Sequence, residues 1–364
     1  MADLVYIDDI RLAASRLDGV ALRTPLVPFA RVEPKLAVKA ESLQPTGAFK
    51  LRGAYSAISA LSPASRSRGV IAHSSGNHAQ AVAYAAALLH VRATVVVPAN
   101  APPVKVAAAR SFGARIVTCE PGLAARTAAT DRLVAEHGYA AIPPFDHREV
   151  IAGQGTIGLE IAADCPDADL VVCPVGGGGL IAGVAAAITA LSPGTKVVGV
   201  EPELAADAKD SLRQRRRVAW PSGDTQRTIA DALRVDQIGE LPMRHMLSQV
   251  HDIVTVTEDE ITEAMRLLAT GARLVAEPGG AVAVAACLFR PGELPAASQR
   301  VAILSGGNVD PGLLATILAA PPHAGHALPH AGQGQPGVGQ GQPHAGQGLP
   351  GAGHAQPDGG GAAD

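Results

Sequence analysis

Leu170-Val171-Val172-Cys173-Pro174-Val175-Gly176-Gly177-Gly178-Gly179-Leu180 contains the change of pattern that decides the architecture. Residues 170–173 form a short, unbroken apolar run, as expected of a strand covered on both faces. Four glycines follow, and residues 180–191 then take up an Ala-rich helical period. Strand, glycine turn and helix in succession make one half of a βαβ unit. The glycines permit positive φ and close approach, so successive N–H groups can form a nest for a phosphate where the helix dipole begins. No Lys completes G-x-x-x-x-G-K-[ST] and no acidic residue stands in a clear ribose-binding context, which leaves a dinucleotide less well supported. A plain flexible turn is the alternative, weakened by the position between strand and helix.

The same alternation extends from about residue 10 to residue 318. Strand-like runs fall at 36–40, 70–72, 93–97, 115–118, 197–200, 253–256 and 301–304, and helix candidates include 78–89, 103–112, 123–137 and 258–269. This rhythm predicts an α/β fold with parallel sheets and ligands at the loops after the strands' carboxyl ends. After Pro321 the composition shifts: the last 44 residues hold 13 Gly and 7 Pro, too little apolar surface to offset the entropy of ordering, so 321–364 reads as a disordered Gly/Pro/His/Gln-rich tail.

Bulk properties narrow the function. Aromatic residues are 3% of the chain and the net charge is −3, so neither a stacking platform nor an electrostatic footprint for nucleic acid is present. Cys119, Cys165, Cys173 and Cys287 form no C-x-x-C pair and read as small buried hydrophobes of a reducing compartment. The start of the chain lacks a basic region followed by an apolar stretch, and no uncharged apolar run reaches membrane-spanning length, which predicts a cytoplasmic protein without membrane contact.

Three further segments sit where an α/β protein places functional loops. Lys50 stands in Thr46-Gly47-Ala48-Phe49-Lys50-Leu51-Arg52-Gly53-Ala54, at a helix start among small and apolar neighbours. A lone lysine is usually a solvated charge, but desolvation by such neighbours lowers the amine's pKa and suits a Schiff-base nucleophile. Ser74-Ser75-Gly76-Asn77-His78 follows the run 70–72 and opens an Ala-rich helix. It presents hydroxyls and N–H groups to an anion such as a carboxylate, or is an ordinary helix cap. Ser305 follows the run 301–304 in Leu304-Ser305-Gly306-Gly307-Asn308, where a hydroxyl can donate to a neutral ring nitrogen.

Together the four segments resemble fold-type II pyridoxal-phosphate enzymes, the threonine/serine dehydratase and serine racemase family with a tryptophan synthase β-like fold. The stretch Val150-Ile151-Ala152-Gly153-Gln154-Gly155-Thr156-Ile157-Gly158-Leu159-Glu160 also matches that family. The resemblance implies two open twisted α/β domains with the cofactor between them. Residues 1–68 and 146–320 would form the large cofactor-binding domain and 69–145 the small one. It implies that Lys50 carries pyridoxal phosphate, with Phe49 beneath the ring and Asn77 at the phenolic oxygen. Gly176, Gly177, Gly178 and Gly179 would take the phosphate and Ser305 the pyridine nitrogen. Ser74, Ser75, Asn77 and His78 would surround the substrate carboxylate. The resemblance further implies a homo-oligomer acting on a small amino acid, and a cation (Mg²⁺, Ca²⁺ or Mn²⁺) held by Glu201, Asp207 and the Ala205 carbonyl. The implied reaction is dehydration of threonine or serine to a 2-oxo acid and ammonia, with Lys50 moving the α-proton. Ser75, a second acid/base opposite Lys50, keeps serine racemase or 3-hydroxyaspartate dehydratase open as the alternative, while Pro144-Phe145-Asp146 looks like the dehydratases.

Overall fold

A computed structural model describes residues 4–30, 32–74, 76–101 and 103–321. The expected tail from 322 onward and Ser75 lie outside the described residues.

Ten strands occur in chain order: β1 Leu26–Pro28, β2 Lys35–Ala40, β3 Val70–His73, β4 Ala93–Pro98, β5 Arg115–Cys119, β6 Ala140–Ala141, β7 Leu170–Pro174, β8 Lys196–Pro202, β9 Asp252–Val256 and β10 Gln299–Leu304. They form a six-stranded sheet in the order β1-β2-β10-β7-β8-β9 and a four-stranded sheet in the order β5-β4-β3-β6. All pairings are parallel except β1 with β2. β7 is buried along its whole length, as an apolar run between two helical layers must be. Val172, Val198, Val254 and Ala302 belong to one core cluster, and Val171, Val197, Ile253 and Val301 to another. The six-stranded sheet thus buries both faces through the two-residue alternation of its strands.

One helix not singled out from the sequence organises the centre. Arg148–Asp164 is covered on two sides, and its glycines mark the contacts. A Cβ on Gly153 would lie 2.5 Å from the Arg52 carbonyl oxygen, and one on Gly53 would lie 2.8 Å from the Val150 oxygen, so the helix Lys50–Ser59 crosses here backbone to backbone. On the other side, a Cβ on Gly183 would meet the Ile151 oxygen at 2.3 Å and the Gly155 nitrogen at 2.5 Å, which brings in the helix Gly179–Leu191. The helix that carries Lys50 and the helix that follows the tetraglycine are therefore spaced by one element. Among the described residues no helix is long and apolar enough to cross a membrane.

Candidate active site

The loops that follow β3, β7 and β10, together with the turn before the Lys50 helix, surround a cavity of about 850 Å³. This is the carboxyl end of both parallel sheets, where an open α/β sheet leaves room for a ligand. Phe49, Lys50, Ser74, Asn77, His78, the four glycines and Ser305 all line it.

Lys50 opens its helix, and its Nζ donates to the Pro144 carbonyl at 2.7 Å. Burial lowers its pKa to about 8, with the charge of Glu277 acting in the opposite sense. An amine at that value exists largely in neutral, nucleophilic form at mildly alkaline pH. The Phe49 ring lies beside it, with Nζ 5.0 Å from the ring centroid. The turn carrying both residues is zipped to the end of β10: the Phe49 amide donates to the Ser305 carbonyl at 3.0 Å and Gly307 to Gly47 at 2.9 Å. Ser305, 5% exposed, therefore faces the same space as the lysine.

A buried ionic network fixes the first turn of that helix from behind. Arg52 gives Nε and Nη2 to Glu41 at 2.9 and 2.8 Å and Nη1 to Glu160 at 2.6 Å. Lys39 adds a bond to Glu160 at 2.6 Å. Burial works against the charges of Glu41 and Arg52, and their mutual attraction and hydrogen bonds overcome it: the Glu41 carboxyl is held below its usual range and the Arg52 guanidinium above its own. Removing any one partner would strand a buried charge.

Asn77 is gripped from both sides. Its Nδ2 donates to Glu277 at 2.6 Å and its Oδ1 accepts from Asn308 at 2.9 Å. One Nδ2 hydrogen stays available for a ligand. Glu277 was not singled out from the sequence, although a lone carboxylate before Pro278 in an otherwise apolar stretch was a usable signal. His78 donates from Nε2 to the Ile142 carbonyl at 2.8 Å, and burial first, then the charge of Lys50, lowers its pKa to about 3. Its neutral ring is thus committed to that carbonyl, while its amide lies in the first turn of the helix Asn77–Leu88.

The residues fit pyridoxal phosphate. The amides of Gly176 to Gly179 make no main-chain hydrogen bond among the described residues. Gly178 adopts φ +86°, open to glycine at little cost. A Cβ on Gly177 would sit 2.2 Å from the Phe145 ring, and one on Gly179 2.9 Å from the Phe145 main chain. The loop must therefore be side-chain-free to lie in the cleft, and its N–H groups end at a helix N-terminus suited to a dianion.

Glu201 and Asp207 come together outside the cavity, 0% and 1% exposed. Glu201 accepts from the amides of Ala208 and Lys209 at 3.0 and 2.8 Å. These are amides of the first turn of the helix Asp207–Gln214, which have no carbonyl partner within the helix, so Glu201 caps it. Asp207 accepts from the Ile238 amide at 2.7 Å. Burial, then the mutual repulsion of the pair, pushes the Glu201 carboxyl well up, and burial carries Asp207 up to about 7. Among the described residues no three His, Cys, Asp or Glu side chains converge on one point, so a cation here would draw its third oxygen from the main chain.

Comparison with known proteins agrees with this geometry. The family model described as pyridoxal-phosphate dependent enzyme matches residues 17–306. An L-threo-3-hydroxyaspartate ammonia-lyase of Saccharomyces cerevisiae is 41% identical over 85% of this chain and 95% of its own. An L-threonine ammonia-lyase of Thermotoga maritima is 40% identical over 86% of this chain and 78% of its own. The solved structure of maize serine racemase superposes with a TM-score of 0.83 at 36% identity, covering 86% of this chain and 97% of that one. The cradle, the desolvated lysine and these relatives converge: the chain belongs to the fold-type II pyridoxal-phosphate-dependent enzymes, in the family of ammonia-lyases and serine racemases.

Proposed function

We propose that this enzyme removes water and ammonia from an L-β-hydroxy amino acid and releases a 2-oxo acid. The observation that carries the reading is the Lys50 amine, half-buried and with its pKa lowered to about 8, on the wall of a cavity shared with the tetraglycine and Ser305. Pyridoxal phosphate supplies the electron sink that makes an α-proton removable. Lys50 Nζ holds the cofactor and then takes the α-proton. The amides of Gly176 to Gly179 bind the phosphate, and the Ser305 hydroxyl meets the ring nitrogen without adding charge. Ser74 and the amides of Asn77 and His78 orient the substrate carboxylate. The buried Arg52 network keeps Nζ where the proton leaves. The four-stranded sheet draws all its strands from residues 70–141, which supports a small domain at 69–145 set into a large one formed by 1–68 and 146–320. Glu201, Asp207 and the Ala205 carbonyl are the ligands for Mg²⁺, Ca²⁺ or Mn²⁺.

Purified enzyme reconstituted with cofactor and given L-serine, L-threonine and L-threo-3-hydroxyaspartate is expected to form 2-oxo acid and ammonia. Lys50→Ala is expected to lose cofactor absorbance and turnover with its fold retained, and normal turnover by that variant would end the assignment. Chiral analysis of the same reactions tests racemisation, since a D-enantiomer that disappears in Ser75→Ala would assign Ser75 the second proton.

A further inference from the structure

Residues 4–6, which lead into the helix Ile7–Leu17, form a strap fastened to the helix Glu240–Gln249. Val5, 0% exposed, shares a core cluster with Ile10, Ile151, Ala182 and Leu241. Its amide donates to His245 Nε2 at 3.0 Å, and His245 is itself 0% exposed. A main-chain N–H can only donate, so Nε2 is the bare nitrogen of the ring. Nδ1 therefore carries the ring hydrogen and gives it to Gln249 Oε1 at 2.8 Å. Only the neutral imidazole satisfies both contacts. A proton on Nε2 would set donor against donor at Val5, in a place closed to water.

The charges around the ring do not favour a cation. Burial lowers the pKa of His245, the Gln249 bond acts in the opposite sense, and the charge of Arg148 adds to the fall. Arg148 also grips the strap, with Nη1 on the Leu4 carbonyl at 2.8 Å and Nη2 on Asp9 at 2.6 Å. Asp9 further accepts the Tyr6 amide, and Glu149 pairs with Arg16. The helix Gly179–Leu191 carries no charged residue. On the helix of His245 itself Glu240 pairs with Arg244. From the helix Asp207–Gln214, Asp207 holds the Ile238 amide, Asp210 holds Trp220 and Arg213, and Lys209 reaches Thr255. Among the described residues no carboxylate pairs with His245.

The same helix braces the glycine loop. Asp146 caps it by accepting from the Glu240 and Leu241 amides at 2.8 and 3.0 Å. Just before it, the Gly239 amide donates to the Gly177 carbonyl at 3.2 Å, and a Cβ on Gly178 would lie 2.8 Å from Pro242. His245 follows Pro242 by less than one turn. Resting on the assignment of that loop to the cofactor phosphate, we propose that His245 is a proton-operated latch: neutral, it holds residues 4–6 in place, and protonated, it releases them and loosens both the helix Glu240–Gln249 and its hold on the phosphate loop. The released imidazole titrates near its ordinary 6.5 and the docked one below it. Docking is therefore fully stable above 6.5 and weakens as the pH falls beneath that value.

The test uses holoenzyme at about pH 7.5 and about pH 5.5, on either side of an ordinary imidazole's titration. Hydrogen exchange, corrected for its intrinsic pH dependence, is followed by mass spectrometry in the peptides containing Val5 and Gly239. The phosphorus NMR signal of the bound cofactor is recorded in parallel. In wild type the opening constant at Val5 should rise about tenfold over this interval, with faster exchange at Gly239 and a displaced phosphorus signal. His245→Gln offers the Val5 amide an oxygen that does not titrate, and should show none of the three changes. Gln249→Glu sets a carboxylate beside Nδ1, favours the imidazolium, and should begin to open at a higher pH. Equal exchange at Val5 at both pH values overturns the proposal. So does an equal acid response in His245→Gln, which would trace to His73, His78 or His147. Should His245→Gln not fold, an onset left unmoved by Gln249→Glu overturns the latch. Opening at Val5 with Gly239 unchanged overturns the coupling of strap to loop. Opening at both with a fixed phosphorus signal supports the latch and overturns the placing of the phosphate on the loop, so the two readings fail separately.

Discussion

At Lys50 the protein gives up stability to gain a reactive amine. The folded value of about 8 lies below the ordinary 10.5, so between these two the unfolded chain binds a proton that the folded chain has shed. Stability of the cofactor-free protein therefore rises with pH across that window. Below it, burying the ammonium costs up to about 3 kcal/mol. Lys50→Met, similar in shape and uncharged, is expected to stabilise the cofactor-free protein at pH 7 by about 1–3 kcal/mol, with the gain fading between pH 8 and 10.5. Urea denaturation at several pH values measures this, and a gain independent of pH would show that desolvation is not its source. Lys50 was legible in the sequence because its neighbours are apolar. Arg126, which lines the same cavity from the helix Leu123–His137, was not, because a single arginine on an Ala-rich helix looks like any solvated charge until the fold turns it towards the cavity.

The helix Arg148–Asp164 teaches a different lesson about reading glycines. Gly153, Gly155 and Gly158 could suggest a turn, yet all three lie inside one helix. Their absence of side chains lets the Lys50 and Gly179 helices approach until backbone meets backbone. Gly153→Ala should destabilise the protein by about 1–3 kcal/mol through overpacking and lower kcat by displacing Lys50. Gly292→Ala, with nothing within 4 Å of the added carbon, should be close to neutral in thermal unfolding and activity. If both variants behave alike, the crossing is looser than the distances require. The same element shows where the sequence stopped being informative. The eight longer strands stand out as β-branched apolar runs, but this helix is buried without a break from Val150 to Gly158 and carries no amphipathic stripe there to mark it. β1 and β6, of three and two residues, are too short for any period to show, and each exists because a longer neighbour offers it a ladder.

Across the whole molecule, the paired carboxylates and the cofactor cradle are linked by one side chain. Asp207 holds the Ile238 amide, and the Ile238 side chain packs where a Cβ on Gly178 would lie 2.8 Å away. Adding Mg²⁺, Ca²⁺ or Mn²⁺ to chelator-treated wild type should raise its thermal midpoint by a few degrees and tighten cofactor binding, while Glu201→Gln should respond to none of them. Equal responses from both proteins would remove Glu201 from the ligand set. Much of the site is made of main chain: Lys50 is received by the Pro144 carbonyl, His78 by that of Ile142, and the glycine amides are unspent. Groups of this kind survive the exchange of their own side chains as long as the loop keeps its path. Sequence drift, or a library built to redirect the enzyme, can therefore exchange side chains that line the cavity while these main-chain contacts stay in place.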